Sequence, residues 1–100
     1  MALDFDWDID KDLANRKKHG LAFAEAAEVF SDVDLMTKFD WDHSDGEERF
    51  ISLGQLPSGI TLVVCHTIRN RAGVEVTRII SARKADKGEQ AAYYEGKDAE

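Results

Sequence analysis

The sequence has 100 residues, 43% of them apolar, and a formal net charge of −7. A chain of this size forms one domain around one core, and its composition excludes a disordered tail. The single cysteine, Cys65, lies in the apolar run ITLVVCHTI, which predicts a buried thiol and excludes a disulfide framework. The sequence has no apolar run of membrane-spanning length and no basic leader, so we expect a cytoplasmic protein.

The charge is unevenly distributed along the chain. Residues 1–50 contain 14 Asp and Glu against 6 Lys and Arg, whereas residues 51–100 contain 6 against 7. A protein with a net negative charge can still bind a polyanion through one basic face, although long-range attraction is then weak. The net charge alone disfavours nucleic-acid binding, and its distribution keeps that function open.

Five segments have the pattern of strands. In LDFDWD (3–8) apolar and aspartate residues alternate, and LMTKFDW (35–41) also alternates. Three apolar runs follow: RFISLGQL (49–56), GITLVVCHTI (59–68) and VEVTRIISAR (74–83). Because only the short turn signals PSG and NRAG separate these runs, we expect an antiparallel meander.

Three segments have the pattern of helices. IDKDLANRKKH (9–19) can begin at a cap formed by Asp8 or Asp10, and its modest apolar face consists of Ile9, Leu13 and Ala14. FAEAAEVFSD (23–32) has a continuous apolar face, and DKGEQAAYYEG (86–96) is amphipathic. The predicted order is β-α-α-β-β-β-β-α. This is a single α+β domain over residues 1–100, with a mainly antiparallel sheet, two N-terminal helices on one face and a C-terminal helix.

A basic cluster, NRKKHG (15–20), stands at the predicted end of the first helix. Lys17 and Lys18 complement the helix macrodipole there, and Gly20 suits the left-handed position that follows a helix. Any basic residue in the last turn would complement the macrodipole, so helix termination does not explain why position 19 is a histidine. His19 is therefore also a candidate contact to a negatively charged ligand.

The strand VEVTRIISAR places arginines among apolar neighbours. Strict alternation puts Arg78 on one face of the sheet and Arg83 on the other. Since a fully buried arginine needs a partner, Arg78 either meets a carboxylate such as Glu48 or lines a groove on the sheet face.

The preceding strand contains Cys65 and His66 next to each other, so their side chains point to opposite faces and do not form a nucleophile–base pair. His66 either lines the same groove as Arg78 or is a core histidine. The loop DHSDGEE (42–48) lacks the ligand spacing of a calcium loop and is typical of a solvated acidic turn. We expect no metal and no cofactor.

A groove that contains Arg, Lys, His and Tyr suits the cleavage of RNA, in which the 2′-hydroxyl attacks the neighbouring phosphate. The protein then supplies a base, a proton donor for the leaving oxygen, and positive donors for the phosphorane. The same residues would also suit binding of a phosphate or of an acidic protein, without catalysis.

Four segments together resemble the BrnT family: FDWDIDKDLANRKKHGLAFAEAAEVFSD (5–32), DHSDGEERFISLG (42–54), LVVCHT (62–67) and RIISARKADKGEQAAYYE (78–95). Members of this family are small toxins of bacterial toxin–antitoxin pairs, with a fold similar to RelE ribonucleases. The family motifs fall on Trp7, Asp8, Lys18, His19, Gly20, Glu47, Glu48, Arg49, His66, Arg78, Ser81, Arg83 and Tyr94.

The resemblance implies a RelE-like fold and a metal-independent endoribonuclease that inhibits translation. It implies a BrnA-like antitoxin partner with a ribbon-helix-helix-type DNA-binding domain, through which the complex contacts operator DNA. The implied catalytic residues are His19, Arg78, Arg83 and Tyr94. The implied RNA-binding residues are Lys18, Arg49, His66, Ser81 and Lys84.

One departure from the family leaves other functions open. Family members commonly have an arginine-rich helix after the I-S-A-R motif, whereas KADKGEQAAYYE (84–95) contains only Lys84 and Lys87 as basic residues. A second hypothesis is therefore a non-enzymatic BrnT-like module that binds an antitoxin and takes part in operon autoregulation. A third is a phosphate- or protein-binding domain unrelated to toxins.

Overall fold

The computed structural model describes residues 4–98, which form one five-stranded sheet and three α-helices. The strands are β1 (Asp4–Trp7), β2 (Met36–Phe39), β3 (Phe50–Gln55), β4 (Thr61–Arg71) and β5 (Val74–Lys84). The helices are α1 (Ile9–His19), α2 (Phe23–Ala26) and α3 (Lys87–Asp98), with short 3-10 helices at Ala27–Ser31 and Trp41–His43. The predicted α+β class and element order are confirmed, while Leu3 of the first predicted strand lies outside the described residues.

The strand order in the sheet is β1-β5-β4-β3-β2. The last four strands form the predicted antiparallel meander, and β1 joins the free edge of β5 in parallel, with Asp4 opposite Val76. The β4–β5 turn contains Ala72 and Gly73, both with positive φ, as a tight hairpin turn requires. The sheet is therefore mainly antiparallel, as predicted.

Helix α1 begins and ends as its sequence predicts. The carboxylate of Asp8 accepts hydrogen bonds from the backbone N–H groups of Asp10 (2.8 Å) and Lys11 (3.1 Å). At the other end, Gly20 has a φ of 70° and its N–H donates to the carbonyl of Arg16 (2.8 Å). These caps satisfy backbone groups that a helix end otherwise leaves without partners.

The predicted apolar face of α1 is wrong. Ile9 and Leu13 are 70% and 56% exposed, and Ala14 is exposed as well. The buried residues of this helix are the polar Asp12 and Asn15. Hydrophobic periodicity cannot identify such a face, because it is buried for its hydrogen bonds and not for its apolar area.

The two buried side chains of α1 connect it to the rest of the fold. The Asp12 carboxylate accepts from the backbone N–H of Phe23 (2.8 Å), which starts α2. The Asn15 amide donates to the carbonyl of Leu21 (2.9 Å), and its oxygen accepts from the N–H of Ala82 on β5 (3.1 Å). Each bond satisfies a buried backbone group that has no partner in a helix or in the sheet ladder.

One face of the sheet is covered by α2 and the 3-10 helix that follows it. The hydrophobic core on this face consists of Leu21, Phe23, Ala26, Val29, Leu56, Leu62, Val64, Ile79 and Ala82. Phe5 and Trp7 of β1 pack against it, in agreement with the alternation of apolar and aspartate residues in this strand. We call this side of the sheet the covered face and the other side the open face.

Strand β5 contains a β-bulge that the sequence analysis did not predict. Cys65 lies opposite Ser81, whereas the next residue of β4, His66, lies opposite Ile79. Ile80 is therefore an extra residue on β5, and the alternation of side chains changes phase there.

The bulge corrects the prediction that Arg78 and Arg83 point to opposite faces. Cys65 and Thr67 are two residues apart on β4 and share one face, and their partners on β5 are Ser81 and Arg78. Arg78, Ser81 and Arg83 are thus all on the open face.

Helix α3 packs against one end of the open face. The hydroxyl of its buried Tyr93 donates to the Asp32 carboxylate (2.6 Å), and burial together with this bond raises the pKa of Tyr93. Gly96 lies directly against the side chain of Met36, where a Cβ would overlap the sulfur. None of the helices within residues 4–98 is long and apolar enough to span a bilayer.

Candidate active site

A pocket of about 710 Å³ occupies the open face, within the size range of ligand-binding sites. Its floor is formed by side chains of β3, β4 and β5: Ile51, Leu53, Val63, Cys65, Ile80 and Ser81. Helix α3 forms one wall through Glu89 and Ala92, and a second wall is formed by Asp42 and His43 of the 3-10 helix Trp41–His43 together with Arg49, the residue before β3. The floor is mostly apolar, so the polar groups of the site are concentrated on its walls.

The side chains that line the pocket carry equal numbers of opposite charges. The cationic side chains are Lys38, Arg49 and Arg83. The acidic side chains are Asp40, Asp42 and Glu89. His43 is the one histidine among these lining residues. The site is therefore a mixed-charge pocket and not a uniformly basic groove.

Arg83 is held by a bidentate pair with Glu89. Its Nη1 and Nη2 atoms donate to Oε1 (2.7 Å) and Oε2 (2.8 Å) of Glu89. These hydrogen bonds lower the pKa of Glu89 to about 2 and raise the pKa of Arg83. Both side chains remain partly exposed to the pocket. The guanidinium of Arg83 thus lies in the pocket lining, with two of its N–H groups directed at the Glu89 carboxylate.

Arg49 is less constrained. Its Nε atom lies 3.9 Å from Oε1 of Glu47, which is beyond hydrogen-bonding distance. Glu47 instead accepts a hydrogen bond from Arg69 (2.9 Å) on its other oxygen. Arg49 can therefore turn toward a ligand at lower cost than Arg83 can.

His43 stands at the rim of the pocket with a carboxylate behind it. Its Nδ1 lies 3.0 Å and 3.2 Å from the two carboxylate oxygens of Asp40. The His43 side chain is largely exposed, whereas Asp40 is buried. This leaves Nε2 of the imidazole as the nitrogen that can meet a ligand.

The structure brings together three of the predicted site residues, namely Arg49, Ser81 and Arg83. Lys18 and His19 end α1 and do not line the pocket. The remaining predicted residues also lie outside its lining: His66, Arg78, Lys84 and Tyr94.

Arg78 has a carboxylate partner that differs from the expected one. Its Nη1 donates to Oδ1 of Asp6 (3.1 Å) on the neighbouring strand β1, and Glu48 is not involved. Arg71 bonds to the other oxygen of Asp6. The sequence could not indicate this pair, because the parallel β1–β5 contact joins residues 72 positions apart.

His66 is a core histidine and not a groove residue. It is 2% exposed, its Nε2 lies 2.7 Å from the hydroxyl oxygen of Ser52, and its ring stacks on Phe50. Burial lowers the pKa of His66 to about 4. Of the two alternatives that the sequence left open, the structure supports the core.

Tyr94 lies just outside the pocket on α3. It is 47% exposed, and its hydroxyl accepts a hydrogen bond from the side-chain amide of Gln55 (2.8 Å). Tyr93, the neighbouring residue, is instead buried and bonded to Asp32. The predicted tyrosine is therefore close to the site without contacting its floor.

Several pocket residues were not predicted as site residues, among them Lys38, His43 and Cys65. His43 belongs to the segment interpreted as an acidic turn, although its spacing of three from Asp40 is a helical spacing. Cys65 was predicted to be buried, but it is only half-buried and faces the pocket. Within residues 4–98, no group of three or more His, Cys, Asp or Glu side chains is arranged to hold a metal ion.

Comparison with known proteins agrees with the predicted family. Residues 7–89 match the family model of the ribonuclease toxin BrnT of type II toxin–antitoxin systems. The crystal structure of the Brucella abortus ribonuclease toxin BrnT has a similar fold, with a TM-score of 0.59 and 26% sequence identity. The alignment covers 86% of this chain and 100% of that one, and a search of curated proteins found no match. The chain belongs to the BrnT family of ribonuclease toxins of type II toxin–antitoxin systems.

Proposed function

We propose that this toxin cleaves RNA in the pocket on the open face, without a metal ion, and thereby inhibits translation. The observation that carries the proposal is the placement of Lys38, Arg49 and Arg83 around one pocket that also contains an imidazole. RNA cleavage of this kind needs no external nucleophile, because the substrate provides its 2′-hydroxyl. The protein has to hold the phosphate and move protons.

Arg83 is the best-placed group to hold the scissile phosphate. A carboxylate and a phosphate present two oxygens to a guanidinium in the same bidentate geometry, and Glu89 already occupies that position. An incoming phosphate would take over one or both of these hydrogen bonds. Lys38 and Arg49 then stabilise the additional charge that the phosphorane develops.

Trp41 does not line the pocket itself, but it provides an exposed aromatic surface for a nucleobase of a bound RNA strand. It lies between the lining residues Asp40 and Asp42 and is 85% exposed. Phe39 supports its ring in an edge-to-face contact, with ring centroids 4.6 Å apart. Exposed aromatic rings beside cationic groups are typical of single-stranded nucleic-acid sites, where bases stack on them.

The partner is the second part of the proposal. The family implies an antitoxin, and we propose a BrnA-like protein with a ribbon-helix-helix-type DNA-binding domain. An acidic or apolar segment of this antitoxin would cover the pocket, whose floor is apolar and whose walls carry three cations. Operator DNA is then contacted only through the antitoxin. We propose that the toxin is a single domain, and that it acts in the cytoplasm bound to this antitoxin.

Incubation of the purified protein with total RNA in excess EDTA tests the catalytic part. We expect cleavage to continue and the new ends to be a 2′,3′-cyclic phosphate and a 5′-hydroxyl. Cleavage that stops with EDTA and returns with magnesium would overturn the metal-independent reaction. Three phosphate-contacting cations also predict a salt slope of about −2 for the affinity of single-stranded RNA.

Co-expression with the adjacent gene tests the partner. We expect affinity purification of the tagged toxin to recover both chains at low and at moderate salt. Recovery of the toxin alone under both conditions would contradict the proposed complex.

The balanced charge of the pocket favours one alternative, a BrnT-like module that binds an antitoxin without cleaving RNA. Inducible expression with and without the adjacent gene separates the two functions. Growth arrest that the adjacent gene relieves supports the ribonuclease, whereas normal growth together with a stable complex supports the module.

A further inference from the structure

We propose that His43 is the general base of the cleavage reaction and that Asp40 is the residue that positions it. The inference rests on the proposed function, since it assigns a proton-transfer step to the same pocket. Among the three histidines of the chain, His66 is buried and His19 ends α1, whereas His43 lines the pocket.

The hydrogen bonds fix which ring nitrogen is free. Nδ1 of His43 lies within 3.2 Å of both oxygens of the Asp40 carboxylate, and an ionised carboxylate only accepts hydrogen bonds. Nδ1 therefore carries the proton, and in the neutral ring Nε2 carries the lone pair. A nitrogen with a free lone pair at the rim of a pocket can accept the proton of a 2′-hydroxyl.

Asp40 is held firmly enough to position the imidazole. It is 8% exposed, and its backbone N–H donates to the carbonyl of Arg49 (2.8 Å), the residue before β3. The hydroxyl of Ser44 donates to the carbonyl of Asp40 and accepts from the N–H of Arg49 (3.1 Å). Within residues 4–98, the His43 ring is the only hydrogen-bond partner that the structure gives to the Asp40 carboxylate. A buried carboxylate needs a partner, so this charge is committed to the imidazole.

The reaction step balances without a further reactant. Nε2 of His43 takes the proton of the 2′-hydroxyl while the 2′-oxygen forms a bond to phosphorus. The bond between phosphorus and the 5′-oxygen breaks, and the leaving oxygen takes a proton from water or from a second acid in the site. The products are a 2′,3′-cyclic phosphate and a 5′-hydroxyl, and His43 returns its proton to solvent.

Cleavage rates of His43→Gln and Asp40→Asn test this assignment, with His19→Gln as the matched control. The scissile bond is first mapped with the parent toxin on an RNA oligonucleotide. We expect His43→Gln to slow cleavage by about 100- to 10,000-fold, the usual contribution of a general base. It should bind the 2′-O-methyl version of the oligonucleotide as the parent does, and His19→Gln should cleave like the parent.

The role of Asp40 has its own readout. If Asp40 acts only through His43, the double variant should cleave no more slowly than His43→Gln alone. A structural role would instead give an additive loss. Because Asp40 is buried and its variant could lose stability, the exposed His43 keeps the assignment testable by itself.

An oligonucleotide with sulfur in place of the 5′-oxygen at the mapped bond distinguishes a base from an acid. Sulfur leaves without protonation, so the defect of His43→Gln should persist if His43 is the base. A restored rate would make His43 the acid and overturn the proposal. A His43→Gln toxin that cleaves as fast as the parent, or that no longer binds the 2′-O-methyl oligonucleotide, would also overturn it. A parent that binds or cleaves no RNA would remove the proposed function itself.

Discussion

The two faces of the sheet divide the work of the molecule. On the covered face, α2 and its 3-10 extension bury a continuous apolar core and one neutral histidine, His66. On the open face, the same strands expose an apolar floor surrounded by charged groups. Burial stabilises the fold on one side and leaves the other side free for a ligand. Substitutions on the two faces should therefore separate stability from activity.

Two arginines of β5 show the same division within the open face. Arg78 is paired with Asp6, a residue of the adjacent strand, and forms part of the sheet. Arg83 is paired with Glu89, a residue of the helix that borders the pocket. The first pair joins two neighbouring strands of the sheet, whereas the second pair lies in the lining of the pocket where we propose that RNA binds.

Among the substitutions that test this division between the arginines and between the faces, the largest effect is expected for Arg83→Ala. Loss of a donor that strengthens as the phosphorane forms should lower the cleavage rate by roughly 100- to 1,000-fold, or about 2.7–4 kcal/mol. The rate of cleavage of an RNA oligonucleotide measures this loss, and the melting temperature measures any change in stability. Lys84→Ala is the matched control, because Lys84 is the next residue and lies outside the pocket lining.

Two outcomes would contradict this expectation. An Arg83→Ala toxin with unchanged cleavage would remove Arg83 from the site. An equal loss of cleavage in Lys84→Ala would show that general positive charge, and not the placement of the guanidinium, is responsible.

The covered face should respond to acid through His66. Burial lowers the pKa of His66 to about 4. Between about pH 6.5 and 4, its imidazole is therefore protonated in the unfolded chain but stays neutral in the folded protein. The free energy of unfolding therefore decreases as the pH is lowered from about 6.5 to 4, by up to about 3 kcal/mol. Replacement by Gln removes this contribution.

Urea denaturation of the parent and of His66→Gln at several pH values isolates the effect, since other carboxyl groups contribute equally to both. The stability of the parent relative to the variant should decrease as the pH falls from 6.5 to 4. A constant difference would mean that His66 is accessible to protons in the folded state.

The sequence predicted the element order because each strand and helix has local signals. The turn sequences, the Asp8 cap and Gly20 all depend on neighbouring residues alone. The bulge at Ile80 does not, since an extra residue in a strand leaves the apolar pattern almost unchanged. The face that α1 buries was also not predictable, because Asp12 and Asn15 are buried by bonds to distant backbone groups.

The site was predictable only in part for the same reason. Arg49, Ser81 and Arg83 carry the family motifs, and the strand positions bring them to one pocket. The position of the His43 side chain depends on a short 3-10 helix in an acidic loop, and the loop sequence has no periodicity that would predict this helix. The partner of Arg78 depends on the parallel pairing of β1 with β5, which only the folded chain creates.

An intermediate effect is expected for Trp41→Ala, in the segment between the lining residues Asp40 and Asp42. Stacking of one base on an aromatic ring contributes about 1–3 kcal/mol, so RNA affinity should fall by roughly 5- to 150-fold. The ring is 85% exposed, so the melting temperature should hardly change. Fluorescence titration with a 2′-O-methyl oligonucleotide measures the affinity, and Trp41→Phe should retain most of it. Unchanged binding by the alanine variant would exclude a stacking role.

A smaller effect, on stability alone, is expected for Arg78→Ala. Asp6 keeps its hydrogen bond to Arg71, and the Arg78 side chain is 26% exposed, so the loss should be about 1 kcal/mol. Cleavage should remain at the level of the parent. A variant that is as stable as the parent and no longer toxic would place Arg78 in the active site and contradict the division between the two arginines.

An effect on stability smaller than that of Arg78→Ala is expected for Glu89→Gln, which probes the pair of Arg83 and Glu89 in the pocket lining. The pKa of Glu89 is lowered to about 2, so the pair contributes fully above about pH 4.5 and is lost as the pH falls toward 2. Because both side chains are partly exposed, the contribution should be about 1 kcal/mol or less at neutral pH. Urea denaturation at pH 7 and at pH 3 should show that the difference in free energy of unfolding between parent and variant becomes smaller in acid.

The same variant also removes an anion that competes with phosphate for Arg83, so the affinity of Glu89→Gln for a 2′-O-methyl oligonucleotide should rise. Glu95→Gln, on the same helix and outside the pocket lining, controls for the change in net charge. A lower affinity in Glu89→Gln would show that the carboxylate is needed to hold the guanidinium in place for RNA.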